Sequence, residues 1–254
     1  MGHRTIIIKK IEQAMKSACR QTELFTDAIA EPIAAEYLFT VEVAKAIAEH
    51  NGPPGDPYVI RVERDAGTFA MDCLKPIARN KNRKFGERMI LRRSRPNIGR
   101  EGRIDVTVYT EKFNSGYGGH QPLCAIEVKG FNPAKDLVLE DLRRNLSFLK
   151  TSGDTGESVL EFAVFAAFYS YKRTKLKQAI NRENILNRQY ESYLKEVDEM
   201  TGISAEVIIL RISLEQHGEV IPGIEYDEID LSKKHHIAGA IVVMSRAQTT
   251  TSSS

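Results

Sequence analysis

The stretch Gly102–Gly130 reads GRIDVTVYTEKFNSGYGGHQPLCAIEVKG. Two apolar runs, Ile104–Tyr109 and Leu123–Val128, flank a segment rich in Gly, Asn and Ser. That is the pattern of two strands joined by a turn-containing connection. Asp105 lies inside the first run, and Glu127 and Lys129 end the second. Strand alternation puts Glu127 and Lys129 on one face and Ile126 and Val128 on the other. Antiparallel pairing across the loop brings Asp105 beside Glu127. Two carboxylates and one lysine are therefore expected at the end of a sheet.

Two neighbouring carboxylates repel and raise one another's pKa. A hard divalent cation removes the conflict. Mg²⁺ prefers oxygen ligands, accepts one or two protein carboxylates and completes its shell with water and phosphate oxygens. Bound there, it polarises a phosphoryl group and lowers the pKa of a bound water. A neighbouring lysine orients that water and offsets charge building on phosphate. The alternative is a surface hairpin with its polar residues in solvent. Against it stand the strongly apolar strands that carry the acids and the helix that follows them.

At these residues, Asp105 in GRIDV and Glu127-Val128-Lys129 in IEVKG, the sequence resembles the PD-(D/E)xK nuclease superfamily. The resemblance covers roughly 58–170, together with the helix that carries Glu36. The position before the aspartate, a proline in the family pattern, is Ile104 here. The resemblance implies a restriction-endonuclease-like α/β fold, a mixed central sheet flanked by helices. It implies Mg²⁺-dependent hydrolysis of phosphodiesters, mostly in double-stranded DNA, with 5′-phosphate products and Mn²⁺ able to substitute. It assigns the metal to Asp105, Glu127 and the Val128 carbonyl, and the orientation or activation of water to Lys129. Many such nucleases carry a glutamate on the helix before the sheet. Glu36 is the candidate for that role and Glu42 the weaker one; a first-turn acid favouring the helix dipole is the other reading of Glu36.

The chain has 254 residues, 42% hydrophobic and 28% charged, as in soluble globular proteins. That length suffices for a sizeable core. A single domain over residues 1–246 is expected, with N-terminal helices over 5–50, a catalytic core over about 58–170 and a C-terminal helix and strands over 171–246. Residues 247–254 read as a disordered polar tail. Three cysteines, Cys19, Cys73 and Cys124, lack metal-binding spacing and point to a reducing compartment. No apolar run reaches membrane-spanning or signal-peptide length. A cytoplasmic protein without membrane association is expected.

Net charge is only +2, yet Arg79–Arg103 holds ten cationic side chains against Glu87 and Glu101. Arg83, Lys84, Arg92, Arg93, Arg95, Arg100 and Arg103 are the candidate phosphate contacts. Arginine at this density suits phosphate, with affinity supplied by counterion release. A solvated loop is the alternative. The segment carries no aromatic interleaving beyond Phe85, so no base-stacking platform is indicated.

The remaining elements follow from periodicity. Helices are expected over 5–25, from Pro32 to about His50, over 134–150 and over 175–200. The second is expected to bury Leu38, Val41, Ala44, Ile47 and Ala48. The third is expected to bury Val138, Leu142, Leu146 and Leu149, leaving Lys135, Arg143, Arg144 and Lys150 elsewhere. Strands are expected over 58–62, 207–212 and 237–244, and Phe69–Leu74 is ambiguous, with strand possible. VLEFAVFAAFYS, 159–170, reads as a strand buried on both faces and parallel to the one before it. Glu63 and His120 are minor site candidates, and Lys175 and Lys177 minor phosphate contacts. The acidic loop GEVIPGIEYDEID reads as solvated, and His235-His236 lacks a partner at metal-ligand spacing.

Two other functions fit these residues. One is a noncatalytic nucleic-acid-binding or assembly module on the same fold, since fold alone never fixes function. The other is a nuclease acting on RNA or branched DNA, whose phosphates offer a metal the same chemistry. A homodimer suits cleavage of two strands.

Overall fold

The chain forms helices α1 (His3–Thr26) and α2 (Ala35–Ala48), strand β1 (Val59–Asp65), helix α3 (Ala66–Asp72) and the short strands β2 (Ile77–Asn80) and β3 (Met89–Arg92). Strands β4 (Arg103–Glu111) and β5 (His120–Phe131) follow, then helix α4 (Lys135–Lys150) and the two-residue strands β6 (Ser152–Gly153) and β7 (Gly156–Glu157). Strand β8 (Phe162–Thr174), helix α5 (Leu176–Glu196) and strands β9 (Ile203–Gln216), β10 (Glu219–Ile221), β11 (Glu228–Asp230) and β12 (Lys234–Arg246) complete the order. This computed structural model describes residues 2–26, 35–52, 55, 57–75, 77–80, 89–92, 96, 101–111, 120–174, 176–197, 200–216, 219–223, 226, 228–230 and 234–247.

Six strands form one mixed sheet in the order β1-β4-β5-β8-β12-β9. The expected hairpin is present: β4 and β5 pair antiparallel, with Val106 opposite Ile126 and Val108 opposite Cys124. Strand β8 runs parallel to β5, with Ile126 opposite Val164 and Glu127 opposite Phe165, and α4 makes the crossover. A parallel neighbour requires such a crossover, because a tight turn can only reverse direction.

Helices cover both faces. On one, α1 and α2 bury Ile7, Ile11, Met15, Phe39, Val43 and Ile47 against Val106, Ile126, Val164, Ala166, Ile241 and Val243. On the other, α3, α4 and α5 bury Phe69, Leu142, Leu146, Tyr190 and Val197 against Ala125, Phe165, Ala238, Ala240 and Val242. Successive residues of β8 thus serve opposite cores, as its continuous apolar sequence predicts. Helix α1 lies so close over β12 that a Cβ at Gly239 would stand 2.6 Å from Met15 Cε. Asn145, buried on α4, donates from Nδ2 to the Val164 carbonyl at 3.0 Å and fixes the crossover over the middle of the sheet.

Several expectations are corrected. Residues 66–72 form a helix, not a strand: Asp65 accepts from the Thr68 backbone N–H at 2.7 Å, an N-cap, and Ala66, Phe69 and Ala70 face the core. Helix α2 buries Phe39, Val43, Ala46 and Ile47, whereas Val41 and Ala48 are exposed. Its AEYLFTVEVAKAIA sequence is apolar almost all round, so periodicity cannot set its rotation. The α4 stripe is buried as expected. The acidic loop contains the β10–β11 hairpin. Pro32, Lys175 and residues 248–254 lie outside the described residues. Among the described residues no helix is long and apolar enough to cross a membrane.

Candidate functional site

The β4–β5 ladder ends at Val106–Ile126. Beyond that pair the strands diverge, and the next β5 N–H that would need a β4 partner is that of Val128. The Asp105 side chain supplies it: Oδ2 accepts from the Val128 N–H at 2.8 Å. One carboxylate oxygen is thereby fixed between the strand ends. On its other side β4 pairs with β1 through Val62–Val106 and Arg64–Ile104, which puts Glu63 level with Asp105. Glu63 has φ 52°, a left-handed conformation that costs a non-glycine residue on the order of 1–2 kcal/mol. Its carboxylate lies 3.9 Å from Arg103, so Glu63 is tied to the surface.

Glu127 is fully buried. Its Oε2 lies 2.6 Å from Arg144 Nη2. The contact is an ion pair without an aligned hydrogen bond, and Oε1 is buried with no hydrogen-bond partner. Lys129, two residues on and on the same face, reaches Asp141 Oδ2 at 3.2 Å and Glu36 Oε1 at 2.9 Å. Its ammonium also donates to the Val128 carbonyl at 3.2 Å. The register between β5 and β8 shifts immediately after Lys129, between it and Phe131. Bulges of this kind re-aim side chains at the ends of strands.

The four residues Asp105, Glu127, Lys129 and Glu36 therefore meet at one end of the sheet, drawn from β4, β5 and α2. Glu42 does not join them. It is buried against α1, where hydrogen bonds from Ser17, Gln21 and Lys45 overcome the upward effect of burial and hold its carboxyl below the usual range. His120 begins β5 and stands seven residues from Glu127, roughly 24 Å along the strand, outside the cluster. Arg103 is exposed at the start of β4. Arg83, Lys84, Arg93, Arg95 and Arg100, and the Arg92 side chain, lie outside the described residues.

Two members were missed in the sequence, Asp141 and Arg144. Arg144 was expected away from the buried stripe, yet both side chains are buried, and Arg144 Nη2 lies 3.0 Å from Asp141 Oδ1. They stand three residues apart on α4, on the flank of the stripe that faces the end of β5. Their pattern, a D-x-x-R pair on the crossover helix opposite an E-x-K pair on the strand, shows only once α4 is placed over the end of β5.

The electrostatics follow from burial. Burial pushes the Asp105 carboxyl up to about 6, reinforced by Glu36 and Asp141 and opposed by the Val128 N–H and Lys129. Burial drives Glu127 well above the usual carboxylate range; Asp105 and Asp141 add to the shift and Arg144 opposes it. Burial alone would lower Lys129, but Asp141 and Glu36 outweigh it and hold the ammonium protonated. Four carboxylates against two cations leave a formal excess of two negative charges.

That donor set fits a hard divalent cation. Glu127 Oε1 is a buried carboxylate oxygen without a donor, and Asp105 is the acid next to it. Among the described residues no group of three or more His, Cys, Asp or Glu forms a ready-made metal cage. A cation here would take two carboxylates from the protein and the rest of its shell from water and substrate, as Mg²⁺ tolerates. Comparison of the chain with protein-family profiles, curated proteins and solved structures finds no match.

Proposed function

We propose that this chain is a Mg²⁺-dependent nuclease with a restriction-endonuclease-like fold, hydrolysing phosphodiester bonds in double-stranded DNA. The observation that carries the proposal is the convergence of Asp105, Glu127 and Lys129 where β4 and β5 part, with Glu127 Oε1 buried and unpartnered. A buried acid left without a donor is costly, and such groups concentrate where a ligand completes them. The mixed sheet, with its antiparallel β4–β5 pair followed by a helix and the parallel β8, supports this reading.

Bound to Asp105 and Glu127, Mg²⁺ would polarise the scissile phosphate and acidify a water. The Val128 N–H holds Asp105 in place, so that carboxylate is oriented before substrate arrives. Lys129 is held protonated, which suits it to orient the attacking water and offset charge on phosphate rather than to act as a base. Water oxygen bonds to phosphorus and releases a proton to solvent as the phosphorus–O3′ bond breaks. The leaving O3′ takes up a proton, and the products are a 5′-phosphate and a 3′-hydroxyl. Glu36, partly exposed at the start of α2, receives Lys129 from the solvent side. The basic residues that precede β4 in the sequence would supply the contacts to the DNA backbone.

Incubation with plasmid, linear duplex, single-stranded DNA and RNA, each with Mg²⁺ or EDTA, tests the proposal. Duplex cleavage that EDTA stops is expected. Binding of DNA without cleavage of any substrate would favour the noncatalytic module.

A further inference from the structure

The ion pairs at the site form an unbroken chain from Glu36 through Lys129, Asp141 and Arg144 to Glu127. Strand β5 presents an acid and a base two residues apart, Glu127 and Lys129. Helix α4 presents an acid and a base three residues apart, Asp141 and Arg144. Each meets its opposite: Lys129 with Asp141, Glu127 with Arg144. The Arg144 and Asp141 side chains are 7% and 2% exposed and Glu127 is 0% exposed, so these charges cannot be screened by water. Gly102, which precedes β4, lies beside the guanidinium. A Cβ there would stand 3.6 Å from Arg144 Nη1, on a backbone with φ 125° that other residues rarely adopt.

We infer that Arg144 is a positioning residue, a resident counter-cation that holds Glu127 by Oε2 and leaves Oε1 turned to the metal. The inference rests on the metal reading above. A buried carboxylate needs a compensating charge, and removing its partner is strongly destabilising. Without metal, Arg144 is the cation against Glu127. With metal bound through Oε1, two cations share that carboxylate, and each becomes less necessary to it. Arg144 and Mg²⁺ are therefore energetically coupled. An arginine present only to pack α4 on the sheet would show no such coupling.

Thermal melting of the wild type, Arg144→Gln and Arg144→Lys at mildly alkaline pH, with EDTA and with rising Mg²⁺, reads this coupling. In EDTA, Arg144→Gln should melt below the wild type by on the order of 10 °C. Mg²⁺ should narrow that gap by more than half, while Arg144→Lys, which keeps the charge, should fall between the two. A gap of unchanged width, in a wild type that Mg²⁺ does stabilise, overturns the inference and leaves the metal site standing. A wild type whose melting ignores Mg²⁺ overturns the metal reading and the inference with it. The double variant Arg144→Gln/Glu127→Gln covers the case in which Arg144→Gln does not fold. With both charges gone, it should recover most of the metal-free stability and lose the response to Mg²⁺. A double variant that also fails to fold would make Arg144 a packing residue and refute the inference.

Discussion

The Lys129 ammonium stands 2.9 Å from the Glu36 carboxylate, a contact between strand β5 and helix α2 across 93 positions of sequence. Glu36 is the more exposed partner, and Lys129 also keeps Asp141. Glu36 thus restrains Lys129 from the solvent side without being its only anchor. Glu36→Gln should lower cleavage by about 10–100-fold, the usual effect of removing a group that orients another. Raised Mg²⁺ should restore part of the activity. Full activity at ordinary Mg²⁺ would remove Glu36 from the site.

Asp105 carries a stability signature. Its carboxyl titrates at about 6 in the folded chain against an ordinary 3.8. Between these values the folded state holds more protons than the unfolded one, so stability declines as pH rises through that window. Asp105→Asn keeps an acceptor for the Val128 N–H and removes the buried charge. In EDTA at neutral pH it should be more stable than wild type, by at most about 3 kcal/mol. Near pH 4 the two should converge. Mg²⁺ should then stabilise the wild type and leave the variant unmoved. Melting curves across pH, with and without the metal, decide it.

The hairpin and its three polar residues were legible because each lies inside an apolar strand bounded by turn residues. Strand alternation then fixes which of them share a face. Asp141 and Arg144 were illegible for the converse reason. On a helix with an apolar stripe, a charged residue beside the stripe reads as solvated, and only the tertiary placement of α4 over the end of β5 buries both. Glu42 misled in the same way: it is buried, but Ser17 and Gln21 of α1 are partners that nothing local to α2 announces. In α3 the sequence did hold the answer. Asp65 and Thr68 stand at capping distance, and Phe69 and Cys73 share one helical face.

His236, fully buried on β12, lies 3.1 Å from Glu183 Oε1 and stacks on Tyr171. Burial holds its imidazole below the usual range, aided by Arg211 and Arg182 and opposed by Glu183. The unfolded chain therefore binds that proton more tightly. The stability contribution is complete above the unfolded pKa of about 6.5 and is lost as pH falls below it. Denaturant unfolding between about pH 5 and 8 should show this decline, and His236→Gln should flatten it. An unchanged profile in the variant would assign the decline to other groups.

The basic segment should carry sequence-independent affinity. Neutralising Arg92, Arg93 and Arg95 together should weaken DNA binding and reduce its salt dependence, by roughly 0.9 in slope for each lost phosphate contact. Titrations at several salt concentrations measure both. Unchanged affinity and slope would make the segment a solvated loop.

The central claim is that Lys129 serves the chemical step beside a metal held by Asp105 and Glu127. The most direct measurement is duplex cleavage by wild type and Lys129→Ala under single-turnover conditions, in Mg²⁺ and in EDTA, with DNA binding followed in parallel. Wild type should cleave only with Mg²⁺. Lys129→Ala should lose at least about 100-fold in rate, the scale expected for removing a charge-stabilising donor, while still binding DNA. Wild-type cleavage that persists in EDTA, or a Lys129→Ala variant of full activity, would contradict the claim.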